Sequence, residues 1–496
     1  MSQKIHLKRE TVFQLLYSGI TVLAMISPGM IIGYSSVVLP VLQKNTTAVH
    51  LNEDSAALFA SLPSIAQLVG CLISVTTLKY GRRIAIASGS SVCALGWIVV
   101  ATSFNQAQLL IGRFLSAGVG AGMCATPGGV YVAEISTPKF TALLCSLNSI
   151  FINVGALLIY IFGSLMKDDW RTIAIVSIGF PVISVVSVML LLPESPRWLL
   201  TKGRLEDAKR CLLTLRGLCE ETTEFQEEFA EMIKYSESQK KINSRSIEQG
   251  SEFFEIPLSR DCPQQEKEES SAIVLLLKST GSCLRKAEVW KPLVIMNAYF
   301  FFQQFSGLYV FISYTVDIAV NIGVTLDPYV TATAVGVLQV IGGIALVCTG
   351  TKLGRKPSSI ISGTGMSICL IILLAYNQFF PNSTPGIPLT SMLIFVSVGS
   401  FGFQNIPYAM IGEIFPTNYV NILAPFTTCM ASIFNFSALQ IYPGLVKINK
   451  MAPICMYAAV SIIATIFLTL FLPETKGKTK TEIEENFQKP CFRIKC

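Results

Sequence analysis

Twelve stretches of about 20 apolar residues run through the chain, and they leave few folds open to it. They lie near residues 12–40, 56–78, 84–104, 109–133, 140–166, 172–193, 292–316, 328–350, 357–380, 388–412, 421–446 and 452–472. About 20 apolar residues in a helix cross the hydrocarbon core, and a helix satisfies its backbone within its own segment. The spacing therefore predicts an all-α membrane protein with twelve transmembrane helices. Only 14% of the 496 residues are charged, against roughly 25% in soluble domains, and the mean hydropathy is +0.56. The first run begins beside Arg9 and lacks a small-residue cleavage site, so it reads as a mature span and not a leader.

The charges mark the sides of the membrane. Lys4, Lys8 and Arg9, then Lys79, Arg82 and Arg83, then Lys139, the 194–291 block, then Lys352, Arg355 and Lys356, and six more in the tail fall on one side. Lys44, Lys167, Arg171, Lys447 and Lys450 fall on the other. The positive-inside rule then puts both termini in the cytoplasm. The sequons at Asn45 and Asn382 land in loops on the outer side and are candidate glycosylation sites. The net charge of +7 follows this topology; no basic, aromatic-interleaved patch suggests a nucleic-acid partner. Most of the 14 cysteines lie in apolar runs, with no CxxC pair or Cys/His cluster, so no metal or other cofactor is expected. Cys491 and Cys496 in the tail are candidates for acylation.

The two halves repeat each other. "KYGRR" (79–83) answers "KLGRK" (352–356), "VAEIS" (132–136) answers "IGEIF" (411–415), and "LPESP" (192–196) answers "LPETK" (472–476), at offsets of 273, 279 and 280 residues. Each marker ends the second, fourth or sixth span of its half. The chain divides into an N-terminal six-helix bundle (1–193), a cytoplasmic linker (194–291), a C-terminal bundle (292–473) and a tail (474–496). Parallel six-span repeats are one architecture of secondary transporters, with the substrate bound between them near the midplane. Within the linker, 203–217 reads as an amphipathic helix with Leu205, Ala208, Leu212 and Leu215 on one face. "AGVGAG" (117–122) has the look of a nucleotide fingerprint, but inside a span its small residues serve close helix packing.

The motifs "LKYGRR", "IGRFLSAGVGAG", "PESPRWLL", "QQFSG" and "FLPETKGKT" resemble the sugar porter family of the major facilitator superfamily. "IIGYSSVVLP" and "LNSIFINVG" are similar to the insect facilitated trehalose transporters within it. The resemblance covers the chain except for about 218–285. It implies two six-helix bundles around a central cavity, with short helices on the cytoplasmic face and a sugar as substrate. That explains an oddity of the seventh run, which carries Gln303 and Gln304 side by side. Polar groups inside lipid are costly unless they pair or face water. A sugar is a ring of hydroxyls with apolar faces, and amides both donate to and accept from it. The competing reading is hydrogen bonding between helices.

The resemblance also assigns further substrate residues. Tyr309 stands where the family has asparagine, and Tyr314 matches a tyrosine near the outer gate. In "QNIPY" (404–408), Asn405 stands at a proline position and Tyr408 at a tryptophan, while Pro407 is retained as a hinge. Asn435 matches the asparagine of an Asn-Trp pair, with Phe436 in place of the tryptophan. Ser149 replaces a glutamine, as in the trehalose branch, and Asn153 matches that branch's polar site. The basic gate candidates are Arg82, Arg83, Arg197, Arg355 and Lys356, and the acidic ones Glu134, Glu194, Glu413 and Glu474. Their set is thinner than usual: Leu78, Thr351, Thr141 and Val420 occupy positions that are charged in the family. Arg113 reads as structural.

Proton-coupled members carry Asp after Gly-Tyr in the first span, and here the sequence is Gly33-Tyr34-Ser35. No Asp, Glu, His or Lys lies near the centre of any predicted span. The expected function is therefore facilitative transport of trehalose or a hexose across the plasma membrane. The alternatives are a carrier for another polyol and a transport-deficient sugar sensor. An enzyme is not expected, because no nucleophile, base and oxyanion set converges.

Overall fold

The structure is a computed structural model that describes residues 2–44, 49–167, 169–218, 221–248, 287–324, 326–379, 386–416, 419–476, 478 and 480–488. Asn45, Asn382, Cys491, Cys496 and residues 249–286 of the linker lie outside the described residues. The described secondary structure is helical throughout. In the N-terminal half the spans are Thr11–Leu42, Glu53–Tyr80, Arg82–Ala101, Gln106–Ile135, Leu143–Leu165 and Trp170–Leu191. In the C-terminal half they are Pro328–Thr349, Arg355–Phe379, Gly386–Ile414, Leu423–Ile448 and Ala452–Phe471.

The seventh span is built differently. It consists of three consecutive helices, Ala287–Phe305, Leu308–Ser313 and Thr315–Asn321. The first break falls at Gly307, whose φ of +86° is left-handed and excludes a continuous right-handed helix. The span also ends at Asn321 and not at residue 316. Its last helix therefore includes Asp317, a carboxylate near the outer end of the span and beyond its predicted bounds. The tenth span is interrupted too: Gly386–Phe401 and Ile406–Ile414 are separate helices, with Pro407 in the first turn of the second. Proline fits there because the first turn has no intrahelical partner for its missing N–H.

Small residues set the packing, as the AGVGAG reading anticipates. A Cβ on Gly118 would lie 1.7 Å from Cβ of Ala66, so the second and fourth spans touch backbone to backbone. Residues Phe114–Gly120 form a π-helical segment within the fourth span.

We name the Lys/Arg-rich face inner and the opposite face outer. Several polar bonds join the two bundles. The Val316 amide donates to Ser36 Oγ (3.2 Å), Tyr160 Oη donates to Ile312 O (2.7 Å), and Ser61 Oγ donates to Gln440 Oε1 (2.8 Å). At the loops, Lys167 pairs with Asp327, and Lys447 with Glu53 (2.5 Å). At mid-span, Asn153 Nδ2 donates to Gln339 O (3.3 Å). These bonds all lie at the midplane or outside it, so the outer side of the cleft between the bundles is closed.

On the inner side, helices Pro196–Thr201, Leu205–Arg216 and Thr223–Glu248 follow the sixth span. Ala208, Leu212 and Leu215 are buried as the periodicity requires, but Leu205 is exposed, because it sits in the first turn ahead of the packed face. Arg216 anchors the group with a forked bond to Glu228 (2.6 and 3.1 Å) and a bond to Ile135 O (2.9 Å). After the twelfth span, helix Lys480–Gln488 buries Ile483 and Phe487, and Lys291 donates to Phe487 O (3.0 Å).

Candidate functional site

The two interrupted spans meet at the glutamine pair. Gln303 Nε2 donates to Phe403 O (2.9 Å) and Gln404 O (2.7 Å), which lie in the break of the tenth span. Interrupting a helix frees carbonyls, and inside a membrane these need a donor. Gln303 supplies one. Its own oxygen accepts from Gln304 Nε2 (3.1 Å). Gln303 is thereby fully engaged, whereas Gln304 Oε1 is buried without a hydrogen-bond partner among the described residues.

Around this oxygen lies the rest of the cluster. Tyr408 lies beside Gln304 and Tyr309, and Tyr309 beside Gln404. The Tyr408 ring meets Phe300 edge-on at 4.9 Å, yet 44% of the residue is exposed. A fixed aromatic face with an open side, next to an unpaired amide acceptor, is what a ring with both hydroxyls and apolar faces requires. Tyr309, in place of an asparagine, thus brings a hydroxyl to the same cluster.

The other predicted residues are more dispersed. Asn153 is buried and bonded to the eighth span, as above, and Ser149 lies partly buried one turn before it. Asn435 is partly buried in the eleventh span, and its Oδ1 is unpaired among the described residues. Asn405 donates to Ser400 O (3.0 Å), holding the break of the tenth span. Tyr314 packs against Tyr442 at the outer end, with ring centres 4.5 Å apart and planes tilted by 36°, and its hydroxyl is unpaired among the described residues. Sequence reasoning passed over Gln339, which is buried, and Asn148; Oε1 of the first and Oδ1 of the second are unpaired among the described residues. The signal that could have found them is a single amide inside an apolar run, weaker than the adjacent pair at 303 and 304.

The gate candidates form two matching knots, one in each bundle. Arg82 clasps Glu134 through Nε (3.0 Å) and Nη2 (2.7 Å), and Ser195 Oγ also donates to Glu134. Glu194 accepts from the Arg82 amide (2.9 Å) and the Arg83 amide (3.3 Å). In the other half, Arg355 Nη2 reaches Glu413 (2.9 Å), Thr475 donates to Glu413 (2.6 Å), and Glu474 accepts from the amides of Arg355 and Lys356 (3.0 Å each). The glycine of each GR motif is left-handed and faces the carboxylate: a Cβ on Gly81 would lie 2.5 Å from Glu194 Oε2. Each knot ties three spans of its own bundle. Arg197 lies in the first turn of Pro196–Thr201, beside the first knot. Glu134→Gln should cost about 1.5–3 kcal/mol, the range for a hydrogen bond to a charged group, read as a lower unfolding midpoint of the purified protein. An unchanged midpoint would show that the knot contributes nothing to bundle cohesion.

Arg113 is buried in the fourth span. It donates to Ile31 O (2.8 Å), Phe59 O (3.4 Å) and Ser35 Oγ, and its guanidinium lies over the Phe59 ring (4.7 Å). No carboxylate pairs with it among the described residues, so the cation is held by carbonyl dipoles, a hydroxyl and ring faces.

A family model described as Sugar (and other) transporter matches residues 20–487. The chain belongs to this family. Among curated proteins, this sugar transporter is similar to the facilitated trehalose transporter Tret1 of Apis mellifera ligustica, 30% identical over 485 residues, covering 95% of this chain and 88% of that protein. It is likewise similar to Tret1 of Culex quinquefasciatus, 28% identical over 480 residues, covering 94% and 84%. Among solved structures, the inward-open xylose transporter XylE from E. coli matches with a TM-score of 0.72 at 20% identity, covering 95% of this chain and 99% of that one. XylE bound to 6-bromo-6-deoxy-D-glucose, described as a proton:xylose symporter, matches at 0.71 and 19% identity, covering 96% and 99%. The sugar transporter is thus a multi-pass membrane protein with the major facilitator fold, in a family of transporters and not of enzymes.

Proposed function

We propose that this sugar transporter is a facilitative (uniport) carrier of trehalose or a hexose, working by alternating access at the plasma membrane with both termini cytoplasmic. The observation that carries the reading is the unpaired Gln304 oxygen beside the half-exposed Tyr408 ring, where two broken spans meet. Discontinuous helices near the midplane are where transporters of this kind bind substrate. Gln304, Tyr309 and Tyr408 contact the sugar from the C-terminal bundle, with Asn435 beside them. Ser149 and Asn153 face it from the N-terminal bundle, and Tyr314 closes over it from outside. Gln303 and Asn405 hold the breaks in shape, and Pro407 is the hinge of the tenth span. The bundles 1–193 and 292–473 rock as two bodies, each kept rigid by its own knot. Asn45 and Asn382 carry glycans on the outer side.

The trehalose relatives support the choice of sugar. The absence of coupling rests on Arg113. A proton relay through it would require a titratable partner, and Ser35 Oγ occupies that place.

The test is uptake of labelled trehalose and labelled glucose into proteoliposomes containing the purified chain. Saturable entry is expected to stop when inside and outside concentrations match, with or without an inward proton gradient. Accumulation above the external concentration under that gradient would overturn the uniport reading, and entry of neither sugar would overturn the substrate class.

A further inference from the structure

We infer that Asp317 is a proton-binding site of the outer gate, through which external acid favours closure of that gate without driving transport. The inference rests on the alternating-access reading above. Asp317 lies in Thr315–Asn321, the last helix of the seventh span, which packs against the first and eighth spans. The Val316 amide next to it is one of the bonds that join the two bundles. Asp317 therefore adjoins a contact that exists while the outer side is closed and must part when it opens.

Asp317 is partly buried and has no ion-pair partner among the described residues. Tyr314 precedes it by three residues, and Tyr442 of the eleventh span packs against Tyr314 at 4.5 Å between ring centres. The first span brings Tyr34, whose hydroxyl is committed to Trp170 O. The eighth begins with Tyr329, and the preceding Asp327 is paired with Lys167. Lys447 is paired with Glu53. Lys450 is exposed and lines a small outer pocket with Ile318, Asn321, Tyr442 and Tyr457.

An ionised carboxylate loses hydration when such a contact closes and gains no counter-charge in return. The protonated form loses much less. By linkage, a proton that binds the closed form better shifts the population towards it. The proton comes and goes on the outer side, because the segment lies in the sealed half, about 20 Å along the chain from Gln304 at 1.5 Å per helical residue. The device therefore alters the rate of the cycle and supplies no energy to it.

The test is hydrogen exchange of the outer span ends, in the full chain in nanodiscs, at pH 5.5 and 7.5 after correction for intrinsic exchange rates. In the wild type, acid is expected to lower the outer-open population roughly three- to tenfold, the scale of a carboxylate moving between water and a partly buried site. Asp317→Asn should be protected to the same degree at both pH values, and Asp317→Glu should restore the response. A wild type without a pH response, or a response that persists in Asp317→Asn, would overturn the inference. A pH-sensitive dye inside sugar-loaded proteoliposomes should report no proton entry with sugar. Proton entry that Asp317→Asn removes would make the residue a coupling site and overturn it as well. Exchange needs no substrate, so failure to transport either sugar leaves this reading separately decidable.

Discussion

Gln304→Ala is expected to lower sugar uptake roughly tenfold or more with the amount of surface protein unchanged, the scale of one lost polar contact of about 1.4 kcal/mol. The expectation comes from the asymmetry between the two adjacent amides. Gln303 spends both of its polar ends inside the protein, on the carbonyls of Phe403 and Gln404 and on Gln304. Gln304 spends its nitrogen and leaves its oxygen unpaired. A buried acceptor without a donor costs about 1–3 kcal/mol, and a donor from the substrate would recover that cost only while substrate is bound. Gln303→Ala is therefore expected to act differently, by freeing two carbonyls in the break of the tenth span and lowering stability. The check is uptake per surface molecule for both variants, with unfolding midpoints alongside. Normal uptake in Gln304→Ala would return the pair to a packing role.

Much of this protein is legible in its sequence, for a physical reason. The bilayer imposes a length and a composition on every span, so eleven long apolar helices were recognisable before any contact was known. The repeated GR and PE markers were also legible, because each carries a fixed local demand: a left-handed glycine facing a carboxylate. The partners of those charges were not legible. The sequence offered these residues as gate candidates without their pairing, and the structure joins Arg82 to Glu134 and Arg355 to Glu413 within single bundles. Residue types name a charge but not the helix it meets. The seventh span was misjudged at its outer end because hydropathy fades at Asp317 while the helix continues to Asn321. Its backbone is saturated by its own turns, and the neighbouring first and eighth spans give it a surface to pack on. Gln339 was missed because a single amide in an apolar run is a weaker signal than a pair.

Gly307→Ala is expected to destabilise the folded protein by roughly 2–5 kcal/mol and to remove most of it from the membrane surface. Two costs combine. Residue 307 has φ +86°, and a side chain held in the left-handed region costs about 1–2 kcal/mol. The added methyl group also has nowhere to go. Its carbon would lie 2.4 Å from Cδ2 and 2.5 Å from Cγ of Tyr457. That ring is fully buried and packs near Phe311, so it cannot swing aside as the end of a flexible chain would. Overpacking of this kind costs about 1–3 kcal/mol. The alternative is for the backbone at 307 to leave the left-handed region, and this would rejoin the two helices on either side of it. A continuous seventh span would carry the bonds from Gln303 away from the break in the tenth. The measurement is the unfolding midpoint and surface level of the variant beside those of Gln304→Ala. If both midpoints match the wild type, Gly307 does not set the break. A fall confined to Gly307→Ala, with uptake alone reduced in Gln304→Ala, would separate the residue that shapes the site from the residue that uses it.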